Sequence, residues 1–222
     1  MYLKDRERIE VVIIAHRGFW KNSCEKNTVL AFKRALSGGY GIETDVRDFN
    51  EELVISHDIP VSVEYSFEAF LLLYVELSYG VEHPPCLAIN IKSDGLQNKL
   101  NSLLEKHSIK NYFLFDMSVP DALGYVAKNL TTFSRVSELE DNHALNEITS
   151  GIWLDQFYDD WYDSDLIVRL VKKYNKVCVV SPELHKRKHH VCWKMISKLP
   201  IDIKQNMMLC TDFPDAAKEY FK

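Results

Sequence analysis

Short runs of apolar, β-branched and aromatic residues recur along the chain, with helix-length amphipathic patterns between them. Val11-Val12-Ile13-Ile14-Ala15 is the first and Gly41-Ile42-Glu43-Thr44-Asp45-Val46 the second. Leu87–Lys92, Tyr112–Asp116, Thr131–Ser134, Ile152–Asp155, Val177–Ser181 and Met207–Asp212 bring the set to eight. Leu53-Val54-Ile55-Ser56 reads as a hairpin-like return beside the second run. Near-continuous apolar runs are the signature of strands covered on both faces. Helical patterns lie at about Thr28–Leu36, stopped by Ser37-Gly38-Gly39, and at about Ser66–Tyr79. Eight β/α alternations in 222 residues predict a (β/α)8 TIM barrel, with a doubly wound open sheet as the alternative. No internal repeat, low-complexity tract or Pro/Gly/Ser linker divides the chain, so one domain over residues 1–222 is expected.

Composition narrows the class without changing the architecture. Hydrophobic residues make up 46% and aromatics 12%, which suits a packed core rather than a disordered chain. Lys and Arg total 27 against 32 Asp and Glu, a formal net charge of −5. That balance argues against generic nucleic-acid or anionic-membrane binding. No run approaches the ~20 apolar residues of a transmembrane helix. The charged opening Met1–Arg8 lacks a signal-peptide pattern, so a soluble, cytoplasmic protein is expected. The five scattered cysteines form no C-x-x-C pair and suggest neither a zinc site nor a disulfide framework.

Polar residues end or follow most of the apolar runs: His16-Arg17, Glu43 and Asp45, His57-Asp58, Asn90 and Lys92, Asp116, Asp155, Glu183 and Asp212. In a barrel those carboxyl ends converge on one face. Asp116, Asp155 and Asp212 read equally well as helix N-caps. Glu43 and Asp45, two apart on a strand, point to the same side. Side by side they repel unless a cation or a shared proton offsets them, and their oxygens suit Mg²⁺ or Ca²⁺. Cleaving a phosphodiester takes a base, an acid for the leaving group, and cations on the phosphoryl oxygens. His16 and His57 have the chemistry for the first two roles, and Arg17 and Lys92 for the third.

The pieces His16-Arg17-Gly18, Asn27-Thr28, Ala31-Phe32, Ala35, Gly41–Val46 and Val54-Ile55-Ser56-His57-Asp58 keep a specific order and spacing. Together they resemble the glycerophosphodiester phosphodiesterase family, within the phospholipase-C-like TIM-barrel superfamily. Ile89–Lys92 and Cys210-Thr211-Asp212-Phe213-Pro214 extend the likeness toward the chain's end. The resemblance implies a TIM barrel that hydrolyses a glycerophosphodiester or related phosphodiester with a divalent cation, Mg²⁺ or Ca²⁺. By position it implies that His16 and His57 are the acid/base pair, Arg17 and Lys92 contact phosphate, and Glu43 and Asp45 bind metal. In this family and in the related sphingomyelinase D enzymes, attack by a substrate hydroxyl gives a cyclic phosphate, which water then opens in some members. Asn90 stands where the family usually has a third carboxylate ligand, which lowers the charge of the donor set. Glu25-Lys26 replaces the usual Pro-Glu. Val180-Ser181-Pro182-Glu183 replaces the usual Trp-Thr-x-Asn, leaving Glu183 as a candidate ligand, substrate contact or helix cap.

The basic run Leu184–His190 places His185 and His189 four apart, a spacing that on one helix binds metal and more commonly marks a solvated helix start. Between His57 and Leu87 there is room for one helix, where relatives insert a cap, so a minimal barrel with an open mouth is expected. That mouth suits a small phosphodiester or a larger molecule containing glycerophosphate. The second reading from another class is a barrel that binds a phosphorylated ligand without turnover, motivated by Asn90 and Lys26. The paired acid and base favour the enzyme, because a binding module has no need of them.

Overall fold

A computed structural model of the chain describes residues 11–222; the charged Met1–Arg8 opening lies outside the described residues. Strands β1 (Val12–His16), β2 (Gly41–Phe49), β4 (Leu87–Ile91), β5 (Tyr112–Phe115), β6 (Phe133–Val136), β7 (Gly151–Leu154), β8 (Val177–Val180) and β9 (Met207–Thr211) run parallel. Their order is β5-β4-β2-β1-β9-β8-β7-β6. A single parallel bridge, Leu114 to Thr132, joins the two ends, so the sheet closes into a barrel with its thinnest seam between β5 and β6. The return strand β3 (Glu52–Ile55) pairs antiparallel with β2. Helices α1 (Val29–Ser37), α2 (Phe67–Leu77), α3 (Gln97–Lys106), α4 (Val119–Val126), α5 (His143–Asn146) and α6 (Ser164–Tyr174) alternate with the strands. After β8 come α7 (His190–Ser197) and α8 (Ile201–Lys204), and α9 (Pro214–Phe221) follows β9. The barrel expected from the pattern is the architecture observed. Only α2 lies between β3 and β4, so no cap is inserted there.

Two apolar layers follow from strand alternation. Ile42, Ile89, Leu114, Ile152 and Val179 face outward and pack with helix residues such as Phe32, Phe70 and Leu100. The inward set fills the barrel axis. Its bulk is uneven. Phe113, Phe115, Phe133 and Trp153 occupy β5 to β7, while Ile14, Ala88, Cys178 and Cys210 line the remaining strands. Phe113 stacks on Phe133 at 4.0 Å and Phe115 on Trp153 at 3.9 Å, so the large rings pack on one another on the β5 to β7 side of the axis. Cys178 and Cys210 are small core groups whose thiols are pushed up by burial.

The sixth strand lies two residues later than the pattern suggests, at Phe133–Val136. Thr132 belongs to the lone bridge, and the strand proper carries Arg135, which breaks the apolar run because it lines the cavity at the barrel's mouth.

Candidate active site

Strand register brings the sequence-distant polar groups together. His16 is level with Glu43, and Asp45 with Asn90. These positions lie level with the carboxyl ends of β1 and β4, where β2 runs on past them to Phe49. A cavity of about 340 Å³ opens there, and His16, Arg17, Glu43, His57, Asn90 and Lys92 line it.

The His16-Arg17-Gly18 turn is built on left-handed backbone, with φ of 56° at Arg17 and 79° at Gly18. Glycine is required at the second position: a Cβ on Gly18 would stand 2.9 Å from the Ala31 carbonyl carbon in α1. The turn aims the Arg17 amide at Glu43 Oε2, to which it donates at 3.1 Å. The Arg17 Nε lies 3.0 Å from Asp45 Oδ2. Asn27 donates to that same oxygen at 2.9 Å and accepts the Thr44 hydroxyl at 2.9 Å, which fixes the Asp45 rotamer. Asp45 is fully buried and Glu43 is 1% exposed. Burial, and next the charge of Asp45, push the Glu43 carboxyl well above the usual carboxylate range, against the pull of His16, Arg17 and Lys92.

His16 Nδ1 lies 2.7 Å from Asp212 Oδ1, and its Nε2 is 3.8 Å from Glu43 Oε2. A carboxylate only accepts, so Nδ1 carries a proton, and in the neutral ring Nε2 is the acceptor. Asp212 is therefore a positioning residue and not a helix cap. Its own backbone N–H is held by Glu183 Oε1 at 3.1 Å. His57 lines the cavity from the exposed segment after β3, with Nδ1 2.8 Å from Asp58 Oδ1.

Lys92 Nζ bonds Asp116 Oδ2 at 3.0 Å and lies 3.7 Å from Asp45 Oδ1. Asp116 also accepts from Arg135, which bonds Glu140 with its Nε. Asp155 accepts from its neighbour's amide and pairs with His185. Neither Asp116 nor Asp155 caps a helix. Glu183 is turned away from the cavity: its carboxylate accepts from Ser181, Thr211 and the Asp212 amide. The Glu25 carboxylate is likewise taken up elsewhere, by Arg34 Nη1 at 2.5 Å and the Lys21 amide at 2.8 Å. Lys26 sits 4.4 Å from the Trp20 ring centroid. His185 closes a 3-10 turn, Pro182–His185, and His189 precedes α7, so the two do not share a helix face. His189 packs against His190 and Trp193 instead.

Asn27, Arg135 and the His16-to-Asp212 pairing are features of the site that sequence reasoning left unassigned. Arg135 carried a signal, a charge directly after the apolar run Thr131–Ser134. Asn27 and Asp212 carried only their place in the motifs.

A hard cation has a suitable donor set here. Asp45 Oδ1 and Asn90 Oδ1 are buried and have no hydrogen-bond partner, and they face each other across paired strands beside Glu43. Among the described residues no three His, Cys, Asp or Glu side chains gather as a metal cluster, so the third donor would be the Asn90 amide. No described helix is long and apolar enough to cross a membrane.

No protein-family model and no curated protein sequence matches the chain. Solved structures do. A glycerophosphodiester phosphodiesterase from Parabacteroides distasonis is similar at a TM-score of 0.66 and 16% identity, covering 96% of this chain and 97% of that one. An Oleispira antarctica phosphodiesterase in complex with its product sn-glycerol-3-phosphate gives 0.70 at 13% identity, covering 95% and 96%. A Ca²⁺-dependent phosphatidylinositol-specific phospholipase C from Streptomyces antibioticus gives 0.60 at 11% identity, again over 95% and 96%. From β1 through α9, the chain has the barrel fold of the glycerophosphodiester phosphodiesterases.

Proposed function

We propose that this protein is a phosphoric diester hydrolase acting on a glycerophosphodiester or a related phosphodiester with the help of a divalent cation. The observation that carries this reading is a half-buried, oriented histidine, His16 on Asp212, sharing one cavity with His57, Arg17, Lys92 and Glu43. A pocket that only binds phosphate needs Arg17 and Lys92. It has no use for an aspartate that fixes a histidine tautomer.

In the proposed reaction Arg17 and Lys92 hold the phosphoryl oxygens. His16, its Nε2 unprotonated, takes the proton from an attacking hydroxyl of the substrate. As the new P–O bond forms, the bond to the leaving alcohol breaks and His57 protonates that oxygen. The product is a cyclic phosphate, which water opens by the same steps in reverse. Glu43, Asp45 and Asn90 would hold Mg²⁺ or Ca²⁺, which supplies Lewis-acid stabilisation of the phosphoryl oxygens when bound.

Hydrolysis of glycerophosphodiesters, assayed with and without Mg²⁺ or Ca²⁺, tests this. We expect cation-dependent release of the alcohol that His16→Ala abolishes. Equal null rates for wild type and His16→Ala across several diesters, with phosphate ligands still bound, would leave the binding-only barrel as the function.

A further inference from the structure

Across the barrel from the carboxylate pair stands a second aspartate–histidine pair. In strand order β7 and β8 lie opposite β2 and β4. Asp155, the residue after β7, is only 5% exposed. Its Oδ1 accepts the Gln156 amide at 2.8 Å and lies 2.7 Å from His185 Nε2. The His185 ring packs 4.8 Å from that of Phe157, and both line the cavity that holds His16 and Lys92.

The chemistry of this pair is directional. Asp155 can only accept, so Nε2 of the neutral imidazole carries the proton and Nδ1 is an acceptor. A buried carboxylate spent on one ring nitrogen sets the tautomer of the other. Arg17 and Lys92 place the phosphate on the β1, β2 and β4 side. The alcohol portion of a diester then extends into the remaining cavity, toward β6 to β8. Phe157 offers a ring face for its carbon skeleton, and His185 an acceptor for its O–H.

We propose that His185, held by Asp155, contacts the substrate by accepting a hydrogen bond from a hydroxyl of the alcohol portion, so that the site selects hydroxyl-bearing alcohols. The proposal rests on the phosphodiester reading of the same cavity. Asp155 is its positioning residue.

Calorimetric titration at about pH 8 with two probes, sn-glycerol 3-phosphate and methyl phosphate, tests it without requiring turnover. Wild type should prefer the glycerol ester. His185→Ala should remove about two- to tenfold of that preference, the worth of one neutral hydrogen bond, and leave methyl phosphate binding unchanged. His185→Gln, whose amide oxygen also accepts, should restore part of it. Should His185→Ala fail to fold, the isosteric Asp155→Asn should show a smaller loss of the same preference.

Equal weakening of both ligands would mean that His185 only clamps its loop, and overturns the proposal, as does an unchanged preference. A wild type that binds neither probe overturns it together with the phosphate site. A wild type that hydrolyses diesters while His185→Ala keeps the preference overturns this proposal alone. A wild type that hydrolyses none while the variant loses the preference sinks the hydrolase reading and supports this one.

Discussion

Changing Asp212 to Asn keeps the side-chain shape and removes the charge that orients His16. The bond is 2.7 Å, and the two side chains are 13% and 11% exposed, so water is poorly placed to substitute. Hydrogen bonds to charged groups contribute about 1.5–3 kcal/mol net. At about 1.4 kcal/mol per tenfold in rate, that corresponds to a fall in kcat of roughly ten- to 150-fold. The loss should fall on kcat and spare KM, because an Asn amide that turns its NH2 toward Nδ1 leaves the proton on Nε2, the nitrogen needed as base. The fold should survive, since the residue 212 amide is tied to Glu183 through the backbone at 3.1 Å. Initial rates on a glycerophosphodiester at saturating cation, with the thermal midpoint measured alongside, make the test. A folded Asp212→Asn enzyme with kcat within threefold of wild type would refute the reasoning, because His16 would then work without its partner.

Asn90→Asp places a third carboxylate beside Asp45 and should tighten Mg²⁺ or Ca²⁺ binding by about tenfold in calorimetry, at the expense of stability in chelator. Unchanged affinity would remove residue 90 from the donor set. Asn27→Ala strips one bond to a charged acceptor and one to a neutral donor, both to fully buried partners, and should cost about 2–4 kcal/mol in urea unfolding. Phe133→Ala removes a ring that is 4% exposed and stacked on Phe113 beside the barrel seam, for an expected loss of about 3–5 kcal/mol. Glu25 is held at about 2, first by its hydrogen bond to Arg34 and then by the Lys21 amide. Its contribution to stability is complete above the ordinary value of 4.5 and is lost as pH falls toward 2. Glu25→Gln should therefore flatten the acid limb of the thermal-midpoint profile while leaving cation affinity unchanged.

The barrel was legible because its cause is local: each buried strand must be apolar on both faces, and that requirement shows in eight short runs. The site was legible only where register follows directly from adjacency along β1, β2 and β4, which is how His16 meets Glu43 and Asp45 meets Asn90. What escaped was decided by rotamer and by distance in sequence. Asp212 reaches His16 because β9 closes against β1, 196 positions away, and nothing in Thr211-Asp212-Phe213-Pro214 separates such an aspartate from a cap for α9. Glu183 shows the converse. It sits at a strand end like the others, yet the Thr211 hydroxyl and the Asp212 amide draw its carboxylate away from the cavity. By bonding that amide it supports the residue that orients His16. A position at the barrel's carboxyl face thus identifies a candidate, and the competition among neighbouring donors decides whether its side chain meets substrate or supports another that does.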